Sequence, residues 1–129
     1  MRILLLFIPL LAFMMPVSST AQTEEPIYVS VDQMPEFPGG PNGLGNFFRS
    51  NLAYPRPALD AKIEGIVIAS FIVEKDGTVS KPAIVKGLGN GCDEEVLRLI
   101  GMMPVWKPGI KDGKEVRVKL SVPVEFKLR

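Results

Sequence analysis

The chain has 129 residues, 47% of them apolar and 22% charged, which suits one core of ordinary composition and not two. Fifteen basic residues against fourteen acidic ones leave a formal charge of +1, so there is no electrostatic footing for nucleic acid. Histidine is absent and cysteine occurs once. That excludes an internal disulfide, a Cys/His metal cluster and histidine-based triads or general bases; an enzyme is not expected, nor is a cofactor.

The first residues read as an address. Arg2 precedes the short apolar run Ile3 to Met15, and Ser18-Ser19-Thr20-Ala21 follows. This is the order of a secretory signal peptide over residues 1–21, with Ser19 and Ala21 as the small residues of the cleavage site and Gln22 as the new N-terminus. The run is shorter than the ~20 residues that span a bilayer, and Pro9 and Pro16 weaken it further. An uncleaved N-terminal anchor is the competing reading. Residues 22–33 then form a short leader, and residues 34–129 the folded domain, placed outside the cytoplasm.

Ile27 to Val31 alternates like a short strand, and Met34-Pro35-Glu36-Phe37-Pro38-Gly39-Gly40 breaks it. Phe37 is expected to pin this irregular stretch to the domain. Leu44, Phe47, Phe48, Asn51 and Leu52 mark one helix face, with Asn42 as the N-cap and Tyr54-Pro55 as the stop. Pro57 suits the first turn of a short helix through Ala61.

Gly65 to Lys75 is rich in β-branched residues and apolar on both faces, which predicts a central strand. Asp76-Gly77 predicts a two-residue hairpin turn. Thr78 to Lys86 returns, and Pro82, which has no N–H to give, sends this strand to an edge. After the glycine-rich link at residues 87–91, Asp93, Glu94 and Glu95 suit a helix N-terminus. Val96, Leu97, Ile100 and Met103 form its expected buried stripe, Glu94 faces Arg98 one turn on, and Pro104 ends it. A turn at Lys111-Asp112-Gly113-Lys114 leads to near-perfect alternation: Val116, Val118, Leu120, Val122, Val124 and Phe126 on one side, Arg117, Lys119, Ser121, Pro123 and Glu125 on the other.

The order helix, short helix, strand, strand, helix, strand is an α+β pattern. It predicts a three-stranded antiparallel sheet in the spatial order second, first, third, with two helices packed on one face. The last strand is then an edge whose free N–H and C=O groups form a template for another chain. Seven basic residues against three acidic ones between Lys107 and Arg129 fit either a solvated strand face or a docking surface for an acidic partner. Arg117 and Lys119 fit either protection against aggregation or selectivity in strand addition by a peptide. Pro123 limits how long an added strand can be.

The single residues that invite chemistry have plainer roles. Cys92 at a helix N-terminus reads as a small buried hydrophobe, since nothing nearby supports thiolate chemistry. Trp106 reads as a packing residue of core or rim. The glycine clusters lack the lysine and hydroxyl of a phosphate loop.

Several of these segments together are similar to one family. Pro35-Glu36-Phe37-Pro38-Gly39-Gly40, Asn51-Leu52-Ala53-Tyr54-Pro55, Gly65 to Gly77, Gly91-Cys92-Asp93-Glu94-Glu95, Met103 to Gly109 and the closing Val116-Arg117-Val118 … Pro123-Val124-Glu125-Phe126 resemble the C-terminal domain of TonB, of the Bacteroidetes type. The likeness runs over roughly residues 34 to 128. It implies a periplasmic domain that contacts TonB-dependent outer-membrane receptors, whose TonB box pairs with the last strand. Carried over, the partner-binding residues are Val116, Arg117, Val118, Lys119, Leu120, Ser121 and Val122.

A full TonB carries an inner-membrane anchor and a long spacer. Here about a dozen residues separate Ala21 from Met34, and fully extended they reach about 40 Å, too short to bridge an envelope. A stand-alone adaptor or a competitor for receptors is therefore the expectation. The alternatives are a membrane-anchored energy transducer and a structural homodimer formed through the open edge.

Overall fold

The computed structural model describes residues 25–128. The signal peptide expected over residues 1–21, and residues 22–24 of the leader, lie outside them. In chain order the elements are β1 (Ile27–Tyr28), α1 (Gly40–Asn51), α2 (Arg56–Asp60), β2 (Gly65–Val73), β3 (Val79–Lys86), α3 (Cys92–Gly101), β4 (Gly109–Lys111) and β5 (Lys114–Phe126). Among the described residues no helix is long and apolar enough to cross a membrane.

The α+β class holds, but the expected three strands are five. β2 pairs antiparallel with β3 on one side and with β5 on the other, and β1 lies beyond β5, giving the order β1-β5-β2-β3. β4 pairs antiparallel with the start of β5 across the turn at Asp112-Gly113. The two added strands have two and three residues; alternation over Ile27 to Val31 suggested the first, while three residues are too few for a periodic pattern to declare β4. β1 is also a parallel neighbour of a strand some ninety positions away in the chain, at Ile27↔Arg117 and Tyr28↔Val118, a pairing no local signal encodes.

β2 and β5 run in unbroken register from Gly65↔Phe126 to Val73↔Val118. Because side chains alternate along a strand, this register turns Val67, Ala69, Phe71 and Val73 of β2 and Val122, Val124 and Phe126 of β5 to the same face. All of them join one buried cluster. Three helices feed that cluster rather than two: Phe48 from α1, Ala58 from α2, and Cys92, Val96, Leu99 and Ile100 from α3. The stripe of α3 thus runs through Cys92 and Leu99, with Leu97 only half buried. Glu95, not Glu94, meets Arg98.

Local chemistry sets the helix ends. α1 begins at Gly40, two residues before the expected Asn42 cap, because left-handed Gly39 (φ 85°) turns the chain into the helix and Pro41 suits its first turn. Asp93, Glu94 and Glu95 occupy the first turn of α3, and Asp93 Oδ1 accepts from Leu88 N at 2.9 Å.

The β2–β3 connection is longer than the two-residue turn expected. Glu74 N donates to Thr78 O and Gly77 N to Glu74 O, both at 2.8 Å, so Lys75, Asp76 and Gly77 form a three-residue loop. Asp76 does not turn left-handed; its Oδ1 accepts from Thr78 N and Oγ1. Gly77 alone has positive φ, at 88°. A Cβ there would stand 2.1 Å from Trp106 O, while Gly77 O accepts from Trp106 N at 2.8 Å. One residue thus closes the hairpin and docks the segment before β4.

Gly77→Ala meets both the left-handed backbone and the Trp106 carbonyl. It is expected to destabilise the fold by about 1–3 kcal/mol, read as a lower midpoint in urea unfolding with an unchanged slope.

Candidate functional site

The two outer edges of the main sheet are built differently. β3 breaks register twice against β2, carries left-handed Lys81 (φ 50°) and includes Pro82. Bulges, lysine and proline are the usual ways to spoil an edge as a template. β5 keeps regular register against β2 from Val118 to Phe126, and its outer side is covered only in part.

Of the seven residues expected to bind a partner, three have neighbours within the molecule beyond β2. Val116 pairs with Gly109 of β4, Arg117 with Ile27 of β1, and Val118 with both Tyr28 of β1 and Val73 of β2. Lys119, Leu120, Ser121 and Val122 pair with β2 alone, opposite Ile72, Phe71, Ser70 and Ala69. The bare edge expected from Val116 onward thus starts at Lys119. From there to Phe126 no strand among the described residues pairs with its outer side. Pro123 lies within this stretch and contributes no N–H.

β1 is held by charge as well as by pairing. Arg117, buried apart from 9% of its surface, donates through Nε and Nη2 to the Glu74 carboxylate at 2.7 and 3.2 Å. Its Nη1 donates to Glu25 O at 2.9 Å. Ser80 Oγ also donates to Glu74. Lys75 pairs with Glu25 at 2.9 Å, and Lys111 sits over the Tyr28 ring at 5.7 Å from its centroid. Arg117, placed by sequence among the partner-binding residues, is occupied in tying the N-terminal segment to the sheet.

α1 runs beside the open stretch. Leu44 lies near Leu120, Ser121 and Val122, and Phe48, Arg49 and Leu52 near Pro123, Val124 and Glu125, with clefts between helix and strand. The first cleft, of about 450 Å³, is walled by the segment Gln33 to Phe37 and by Leu44, Trp106 and Pro108. That segment is fastened by backbone pairs at Gln33↔Ile110 and Glu36↔Lys107. A chain of aromatic contacts does the rest: Phe47 to Phe37, Phe37 to Trp106 and Trp106 to Phe71, with ring centroids 5.4–5.5 Å apart. Phe37 pins the segment as expected, and Trp106 is a packing residue with 4% exposure. Periodicity could not reveal this wall, because an irregular Pro/Gly-rich stretch has no period.

A second ion pair fixes the far end of α1. Glu95, nearly buried on α3, accepts from Arg98 Nε and Nη2 at 2.8 and 2.7 Å and from Ala53 N at 2.7 Å. Arg98 Nη2 donates in turn to Asn51 O at 3.0 Å. The Arg98 hydrogen bonds hold the Glu95 carboxyl below its ordinary range against the opposing effect of burial, and the Ala53 N–H lowers it further. Glu74 is likewise lowered, first by Arg117 and then by Ser80. Cys92 is buried, and burial raises its thiol pKa, with Asp93 and Glu94 adding to the rise. This is the opposite of an activated cysteine.

A carboxylate depressed in the folded state adds stability that is complete above its unfolded pKa, about 4.3 for Glu, and is lost as pH falls through the lower folded value. The melting temperature should therefore stay level above the ordinary carboxylate range and fall below it. Glu95→Gln should cost roughly 1–3 kcal/mol at neutral pH by weakening the bonds to Arg98 and Ala53, and should flatten the fall in acid. Thermal melts of both proteins across that range check it.

A family model for the Gram-negative bacterial TonB protein C-terminal matches residues 50–128. Among solved structures, the C-terminal domain of Helicobacter pylori TonB (residues 194–285, in solution) is similar at 25% identity, over 65% of this chain and 88% of that one, with a TM-score of 0.43. The Pseudomonas aeruginosa TonB C-terminal domain is similar at 24% identity, over 60% and 80%, also with a TM-score of 0.43. A search of curated proteins found no match.

Proposed function

The chain belongs to the family of Gram-negative bacterial TonB protein C-terminal domains, and from that premise we propose that it is a periplasmic protein-binding module of outer-membrane transport. It engages TonB-dependent receptors by accepting the receptor's TonB box as a strand on the open side of β5. One observation carries the proposal: from Lys119 to Phe126 the outer side of a regular strand has no partner among the described residues. The other edge of the sheet is bulged and carries proline. An edge of that kind gives affinity through its backbone groups, and the side chains beside it give selectivity. Of the residues carried over from the family, Lys119, Leu120, Ser121 and Val122 form the contact. Val116, Arg117 and Val118 hold β4 and β1 in place at its border.

Titrating the 15N-labelled protein with peptides that contain a TonB box should shift backbone amides from Lys119 to Phe126. A peptide N-methylated at alternate residues cannot donate along the edge and should bind at least about tenfold more weakly. If neither peptide disturbs these amides, strand addition at β5 is wrong.

Export is part of the same proposal. Residues 1–21 are removed at Ala21/Gln22, and the mature chain acts as an adaptor or competitor at receptors. Mass spectrometry of protein isolated from the envelope should find Gln22 as the first residue. Retention of residues 1–21 would instead support an anchored transducer.

A further inference from the structure

We infer that the cleft beside Leu120, Ser121 and Val122 is a specificity subsite that receives one large apolar side chain, aromatic or branched aliphatic, from the strand that adds to β5. The inference rests on the strand-addition reading and deepens it.

Alternation determines which side chains can reach the cleft. Along β5, Val122, Val124 and Phe126 are buried toward the helices and Leu120 packs against the same cluster, while Lys119, Ser121, Pro123 and Glu125 are exposed. A strand laid against this edge alternates in step, so every second side chain points to the helix side. Beside Leu120 and Val122, that side opens into the cleft of about 450 Å³. The cleft is continuous with the pairing edge, since residues Leu120 to Val122 belong to both.

The lining states what chemistry enters. Met34, Pro35, Leu44 and Pro108 surround Trp106, and a wall of this kind rewards burial of an apolar group. Trp106 Nε1 is also the one buried side-chain polar atom without a hydrogen-bond partner among the described residues. A buried donor in that state is sensitive to any change in the packing around the ring, so it reports on what fills the cleft that Trp106 lines. Lys107 at the cleft and Lys119 on the edge, against Glu36, leave the surroundings net positive, which favours an acidic residue beside the apolar one.

Part of the wall lies before the stretch that matches the family model. Met34, Pro35, Phe37 and Leu44 all precede residues 50–128, the stretch that matches the family model. Trp106 and Pro108 complete the wall from within that stretch, which also holds the pairing edge.

The single tryptophan makes the subsite separately observable. The 15N-labelled full chain is titrated with the extended peptide Asp-Thr-Val-Phe-Val-Thr-Ser and with versions carrying Leu or Ser in place of Phe. The Phe and Leu peptides should shift both the amides from Lys119 to Phe126 and the Trp106 indole N–H. The Ser peptide should shift the amides only, with affinity about tenfold or more lower. Met34 is 48% exposed, so Met34→Glu should leave the melting temperature unchanged. It should weaken the Phe peptide about tenfold, leave the Ser peptide unaffected, and be reversed by Met34→Leu at the same position. Equal affinity for all three peptides with a still indole signal overturns the subsite and leaves strand addition standing. Silence of both the amides and the indole overturns the two together. An indole shift that grows with protein concentration alone, matched by dimers in sedimentation, assigns the cleft to a second copy of the chain and overturns the inference.

Discussion

The unbroken antiparallel ladder between β2 and β5 is the constraint on which the rest of the molecule depends. Nine pairs in constant register, from Gly65↔Phe126 to Val73↔Val118, turn Val67, Ala69, Phe71 and Val73 inward together with Val122, Val124 and Phe126. A slip of β5 by one residue would send Val122, Val124 and Phe126 to solvent and bring Ser121, Pro123 and Glu125 into the core. Burial therefore locks the register, and the locked register fixes the place of the outer backbone groups of β5. Core stability and the proposed receptor contact are two sides of the same strand.

Polar ties decide how much of that row stays open. Arg117 joins Glu74 on one side and the Glu25 carbonyl on the other, so the N-terminal segment is drawn onto β5 just where Ile27 and Tyr28 can pair with it. At the other end, Glu95 and Arg98 clasp Ala53 N and Asn51 O and fix the end of α1 along the remaining edge. Both carboxylates are shielded and multiply bonded, which places them above the near-zero contribution of exposed surface pairs. Their role is geometric as much as energetic, since one closes the start of the edge and the other positions the helix beside its open part.

The contrast between the two borders of the sheet gives the functional reading its direction. β3 has the bulges, lysine and proline that discourage pairing. β5 has Lys119 and Pro123 but retains its regular geometry. Between the open part of β5 and α1 lies an apolar cleft whose wall comes from the irregular stretch before the helix. A sheet edge supplies affinity for any extended chain, so discrimination has to come from what stands next to it.

Composition and periodicity alone determined a good deal. The doubly apolar Gly65–Val73 announced a central strand, and the alternation from Val116 to Phe126 announced a strand buried on one face. The segments that resemble the TonB C-terminal domain pointed to the family that the match over residues 50–128 shows. These features are written in neighbouring residues, where a period of two or of three to four is a direct imprint of geometry. Only the tertiary structure decided that Ile27 and Tyr28 cover Arg117 and Val118, that Glu95 rather than Glu94 holds Arg98, and that Met34 to Phe37 wall a cleft against β5. The first and last of these are contacts between segments far apart in the chain, and the Glu95–Arg98 pair closes on Ala53 and Asn51, more than forty positions away. A proline-rich loop has no periodicity of its own, and its place is set by whatever surface the folded core presents to it.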